Sequence, residues 1–137
     1  MTQKSEVNHR IVFSIGTNSH RLRNMRMAKT ELVKLFGEDF VLTRVVETDA
    51  IGFEGSRFLN SLAECRSSLP LQTIEKELKR IEKECGNTHE KRCQGIVEMD
   101  IDILEYGGER HHVNDWKRSY VIELYGELVE NATINHT

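Results

Sequence analysis

The chain has 137 residues, and 19 Lys and Arg against 22 Asp and Glu give it a formal net charge of −3. That length suits one domain spanning residues 1–137, with no room for two independent cores, and the mild acidity argues against a dedicated nucleic-acid binder. Cys65, Cys85 and Cys93 are odd in number and lack CxxC spacing, so they indicate neither a disulfide framework nor a zinc site and suit a reducing cytoplasm.

Residues 1–9 are polar without an apolar h-region, so no secretory signal is expected there and the segment reads as a flexible N-terminus. No apolar run approaches the roughly 18 residues of a membrane span. Arg10–Gly16 (RIVFSIG) is a β-branched and aromatic run ending in glycine, which predicts a first strand. After the cap-forming cluster Thr17-Asn18-Ser19, Leu22, Met25, Ala28, Leu32 and Leu35 recur at helical spacing until Gly37. Phe40–Thr48 reads as a second strand, Asp49–Arg57 with Gly52 and Gly55 as a loop, and Phe58–Cys65 as a third strand. Pro70 marks the start of a second helix whose apolar face is Ile74, Leu78, Ile81 and Cys85, with Gly86 as its cap. Asn87–Val97 has no periodicity and is expected to be a loop. Glu98–Tyr106 is the fourth strand, and Gly107-Gly108 turns it into a hairpin continuing through Glu109–Val113. Tyr120–Leu128 is either a short helix or a strand, and residues 130–137 read as a flexible tail. The order predicts an α+β, ferredoxin-like βαββαβ sandwich with an added hairpin and a C-terminal element. Leu22, Met25, Leu32, Ile74, Leu78 and Ile81 should pack on one face of a four-stranded antiparallel sheet.

The fourth strand holds the most chemistry. Side chains alternate along a strand, so Glu98, Asp100 and Asp102 share one face while Met99, Ile101 and Ile103 turn to the core. Carboxylates at i and i+2 repel unless solvent or a cation separates them. By spacing alone the pair is either a solvated outer face or a Mg²⁺ site, since Mg²⁺ takes one or two carboxylates plus substrate phosphates. Gly16-Thr17-Asn18 suits an anion at the first helix N-terminus, although capping explains it as well. Cys93 beside Lys91 and Arg92 reads as a surface thiol, and His111 and His112 alternate across the hairpin strand and cannot ligate one metal together. No GxxxxGK[ST] motif is present.

Five segments fall together in one order: SIGTN at Ser14–Asn18, TDAIG at Thr48–Gly52, FLN at Phe58–Asn60, RIE at Arg80–Glu82 and MDIDIL at Met99–Leu104. From about Ile11 to Leu128 the chain thereby resembles hydroxymethyldihydropterin pyrophosphokinase. The resemblance implies Mg²⁺-dependent transfer of pyrophosphate from ATP to a pterin hydroxymethyl group, with two Mg²⁺ ions bridged by Asp100 and Asp102. It implies that Thr48, Ile51, Phe58, Asn60 and Tyr120 line the pterin slot, Phe58 and Tyr120 by stacking and Asn60 by hydrogen bonding. ATP and a pterin are then the partners, with neither nucleic acid nor membrane involved. The ATP side departs from the family pattern. Where the family's loop supplies several Arg and a Trp, this chain has Asn87, His89, Cys93, Gln94 and Val97, with Val97 standing at an Arg of the signature. Arg118 matches a retained cation, a family His contact on ATP finds no counterpart in the shortened stretch after the hairpin, and Lys91 and Arg92 are the candidates to reach ATP from shifted positions. A pterin- or nucleotide-binding homologue without catalysis is the alternative reading.

Overall fold

The computed structural model describes residues 8–50 and 56–135, the side chains of Glu38 and 131–135 excepted. A central strand β1 (His9–Thr17) is flanked by β4 (Phe58–Ser67) and β5 (Asp100–Tyr106), both antiparallel to it. Beyond β4 lie β2 (Val41–Leu42) and β3 (Val46–Thr48), and beyond β5 lies the short β6 (Glu109–Arg110). The sheet therefore has six strands instead of four, and its helical content makes it the α+β architecture expected.

The second predicted strand splits because its register against β4 slips by one. Val41 faces Glu64 and Leu42 faces Ala63, yet Val46 faces Asn60. The extra residue forms a bulge that Thr43 stabilises: its amide donates to Leu62 O (2.8 Å) and its hydroxyl accepts from Leu62 N (2.9 Å). A second irregularity places Phe13 opposite Ile103 and Val12 opposite Glu105, so Leu104 is the additional residue in β5.

Alternation sends Ile11, Phe13 and Ile15 to one face, where α1 (Arg21–Phe36) and α2 (Leu71–Glu84) cover them. Met25, Ala28, Leu32, Ile74, Leu78 and Ile81 are buried there with Met99, Ile101 and Ile103. Leu22 is a correction: it is 73% exposed. At about 100° per residue it lies about 100° from the centre of the stripe formed by Met25, Ala28, Leu32 and Leu35, and buried Asn24 takes the inward position in that turn. Gly86 follows the end of α2 at φ +105°, where its amide donates to Lys83 O (2.9 Å), the left-handed stop that glycine makes cheap.

Tyr120–Leu128 resolves as helix. It belongs to α4 (Ser119–Asn135), which also runs through most of the stretch read as a tail. Val121, Leu124 and Leu128 pack with Trp116 on Val12, Leu62 and Leu104, so the second face of the sheet is covered as well. Trp116 Nε1 donates to the carbonyls of Leu104 and His111, each at 3.1 Å. A 3₁₀ turn, Val113–Lys117, leads into α4. Because α4 begins only at Ser119, one end of this face stays open, and small residues, Ser14 and Gly16, floor it.

None of the helices among the described residues is long and apolar enough to cross a membrane.

Candidate active site

The open end is a cavity of about 220 Å³ built over the central strand. Gly16 lies opposite Asn60 on one side and opposite Asp100 on the other, and Ser14 lies opposite Asp102. These residues all point to the α4 face, so register alone sets an amide on one wall and two carboxylates on the other. Gly16 is required by this closeness. A Cβ there would stand 2.9 Å from Asn60 Oδ1 and 3.7 Å from the Phe58 ring.

On the first wall, Thr48 pairs with Phe58 across β3 and β4, and Asn60 Nδ2 donates to Thr48 Oγ1 at 2.6 Å. Asn60 is held by this contact with its carbonyl free to face the cavity as an acceptor. Asp49 follows Thr48 at the rim and is paired with Arg57 at 3.1 Å. Tyr120, in the first turn of α4, supplies a half-buried ring on the cavity wall together with Phe58. Burial pushes the Tyr120 hydroxyl above its ordinary value, partly offset by the Arg118 guanidinium bonded to it.

On the second wall, Asp102 is pushed up to about 7, first by burial and then by the charge of Asp100 beside it. A neutral pair at this spacing would lie idle, whereas a cation between the oxygens would relieve the repulsion. The donor set of two hard carboxylates fits a divalent oxygen-seeking ion such as Mg²⁺. Among the described residues no cluster of three or more His, Cys, Asp or Glu could hold a metal by itself, so the remaining ligands must come from water or substrate.

Sequence reasoning erred on the neighbours of this pair. Glu98 does not share the solvated face: β5 starts at Asp100, and the Glu98 side chain is only 2% exposed. Its carboxylate accepts from Lys91 Nζ (2.8 Å) and Asn24 Nδ2 (2.9 Å), and His20 Nδ1 lies 3.1 Å away. Burial opposes its charge, but these bonds win and hold it at about 2. Lys91, which also donates to Gly86 O at 3.0 Å, is therefore turned away from the cavity and does not line it.

Arg92 does line it. Its Nη2 lies 3.6 Å from Asp100 Oδ1, 3.9 Å from the buried Glu82 and 3.3 Å from Met99 O. Both residues sit on α3 (His89–Cys93), a five-residue helix within the stretch expected to be a loop. The overlooked signal was Thr88, whose hydroxyl accepts from Lys91 N at 3.1 Å as an N-cap. Asn18 ties the end of this segment down, its amide group donating to Gly95 O (2.8 Å) and accepting from Val97 N (2.7 Å). Thr17-Asn18 thus binds protein backbone at this point. Val97 itself is 8% exposed and lines the cavity with an apolar side chain.

Two further side chains were missed. His112, in a left-handed conformation (φ 51°) beyond the end of β6, brings Nε2 within 3.9 Å of Asp102. An imidazole therefore stands beside Asp102, although it does not line the cavity. Asp115 lines the cavity beside Arg118 and Tyr120. Nothing but the tertiary fold marks either one, because both lie in a segment without periodicity. Ile51 lies outside the described residues.

Thr48, Phe58, Asn60, Arg92, Asp100, Asp102, Arg118 and Tyr120 thus meet around one cavity. Residues 12–130 match the family model described as 7,8-dihydro-6-hydroxymethylpterin-pyrophosphokinase. A 2-amino-4-hydroxy-6-hydroxymethyldihydropteridine pyrophosphokinase of Porphyromonas gingivalis is 30% identical over 81% of this chain and 84% of its own length. The protein of the same name from Aquifex aeolicus is 32% identical over 72% of this chain and 62% of its own. A folate synthesis bifunctional protein of Chlamydia caviae is 31% identical over 78% of this chain but only 26% of its own length. The match runs from the central strand into α4 and so takes in both walls of the cavity: the chain belongs to the 7,8-dihydro-6-hydroxymethylpterin-pyrophosphokinase family.

Proposed function

We propose that this protein transfers pyrophosphate from ATP to the hydroxymethyl group of 6-hydroxymethyl-7,8-dihydropterin, in Mg²⁺-dependent fashion, as a cytoplasmic step of folate synthesis. The observation that carries this reading is the shared floor of Ser14 and Gly16, which sets a ring-binding wall against a metal-binding wall within one cavity. Asn60, held by Thr48, reads the polar edge of the heterocycle, and Phe58 and Tyr120 supply aromatic contact. Asp100 and Asp102 would hold Mg²⁺, two ions with ATP bound, which would supply charge neutralisation for the phosphates. Arg118 and Arg92 contribute the remaining positive charge.

In the reaction the hydroxymethyl oxygen attacks the β-phosphorus, the bond to the oxygen bridging the α- and β-phosphates breaks, AMP leaves, and the hydroxyl proton is released. Such transfer depends on positioning and on charge neutralisation. The pterin wall keeps Thr48, Phe58, Asn60 and Tyr120, but the ATP wall is short of charge: Val97 offers no donor and Lys91 is engaged by Glu98. Turnover is therefore slow and limited by the ATP half of the site.

Release of AMP from ATP in the presence of the pterin tests this. Replacing Val97 with Arg should raise the rate roughly 10-fold or more, as one added donor can be worth about 10². Wild-type turnover at an ordinary rate of about 1 s⁻¹ or faster would show that Arg92 and Arg118 suffice, and no Mg²⁺-dependent AMP release from either protein would favour the non-catalytic binding reading. Gly16→Ala should weaken pterin binding about tenfold while sparing nucleotide binding, because its Cβ must displace Asn60 from Thr48. Calorimetry with each ligand separately would check that split.

A further inference from the structure

Among the described residues the cavity wall carries four carboxylates, Asp49, Asp100, Asp102 and Asp115, against two guanidiniums, Arg92 and Arg118. Asp49 is answered from outside by Arg57 at 3.1 Å. Asp100 and Asp102 would be answered by the cation they are proposed to hold, and Arg92 lies 3.6 Å from Asp100. Asp115 has no such relief. It forms an ion pair with Arg118, Oδ1 to Nη2 at 3.3 Å. The local backbone enforces this pair. Asp115 and Arg118 are three residues apart across a 3₁₀ turn, where side chains at i and i+3 eclipse, and Arg118 N donates to Asp115 O at 3.1 Å.

We infer that Asp115 is a built-in counter-charge that competes with the phosphate chain for Arg118 and so sets how tightly this site holds nucleotide. The inference rests on the pyrophosphokinase reading for the identity of the anion, not for the competition itself. A phosphate that approaches Arg118 must displace a carboxylate already in place and then sit beside it. Both effects weaken anion binding. Asp115 itself lines the cavity beside Arg118. Asp115 is in these terms a specificity-determining residue that acts through Arg118.

The test is calorimetric titration of the full chain with a Mg²⁺ complex of a non-hydrolysable ATP analogue and, separately, with metal-free inorganic tripolyphosphate. Asp115→Asn keeps the size and one acceptor oxygen, and Asp115→Ser serves if it does not fold. Removing one charge at this range should tighten both anions about tenfold. In an Arg118→Gln background the same replacement should tighten them by less than about threefold, the repulsion alone remaining. Pterin affinity should change far less than anion affinity in Asp115→Asn. If Asp115→Asn leaves tripolyphosphate binding unchanged or weaker, the inference is overturned and the pair is only a brace. Tighter tripolyphosphate with no binding of Mg-nucleotide in any variant supports the counter-charge while it sinks the pyrophosphokinase reading. Mg-nucleotide bound equally by wild type and variant does the reverse.

Discussion

Asparagine in place of Asp102 is expected to stabilise the metal-free protein at neutral and alkaline pH while abolishing Mg²⁺-dependent nucleotide binding. Asp102 is raised to about 7 in the folded state by burial and by Asp100, well above the ordinary carboxylate value. Between about pH 4 and pH 7 the folded protein therefore binds more protons than the unfolded chain. The associated stability is fully present below pH 4 and is lost as the pH rises through 7. An asparagine cannot ionise, so melting temperatures in EDTA should diverge from about pH 4 upward and keep a constant gap above pH 7, with the variant about 5 °C higher at pH 8. Mg²⁺ and nucleotide should restore the wild type and leave the variant unmoved, with affinity down by more than about 100-fold, since even outer partners of metal ligands are worth 10 to 100-fold. Parallel melting curves, or Mg-nucleotide bound equally by both proteins, would refute the metal reading. A site that is strained until loaded is the physical signature of function set against stability.

The second large effect is structural. Replacing Lys91 with Met should destabilise the protein by about 2 kcal/mol, because the Glu98 carboxylate, 2% exposed, loses the donor at 2.8 Å and keeps the neutral partners Asn24 and Ser19 beside His20. Breaking a buried pair costs about 3–5 kcal/mol, and the estimate here is lower because Lys91 is 39% exposed. Adding Glu98→Gln should recover roughly half of the loss, since no uncompensated charge then stays buried. Glu98 lies at about 2 in the folded state, so its contribution is complete above about pH 4.5 and disappears as the pH falls towards 2. In the Lys91→Met variant this acid limb should shift to higher pH. Urea unfolding of the three proteins at pH 7 and pH 4 measures both effects. If Lys91→Met were neutral for stability but weakened ATP binding, Lys91 would be a nucleotide contact after all.

Local rules served the regular elements well. The period of 3.6 located α1 and α2, β-branched composition located β1, position located β4, alternation sorted the faces of β5, and Pro70 and Gly86 marked the ends of α2. They failed where a partner overrides pattern. Phe40–Thr48 reads as one strand, but a bulge against Leu62 divides it, and Leu22 fits the apolar spacing yet points to solvent. The segment 87–97 has no pattern at all. Its short helix exists because Thr88 caps it and because Glu98 and Asn18 anchor it from outside.

The site divides in the same way. That Asp100 and Asp102 share a face follows from the two-residue period of a strand, and their resemblance to a metal-binding pair is visible in MDIDIL itself. The sequence by itself therefore determined the fold class, the family and the carboxylate pair. Only the tertiary structure decided which cations reach the cavity. Lys91 and Arg92 are neighbours in the chain with the same charge, yet a buried carboxylate captures one and the other enters the site. Electrostatic partners at sequence separations such as that between Asn24 and Glu98 leave no periodic trace, because charge pairing depends on distance in space, whereas pattern reports only which side of an element a residue occupies.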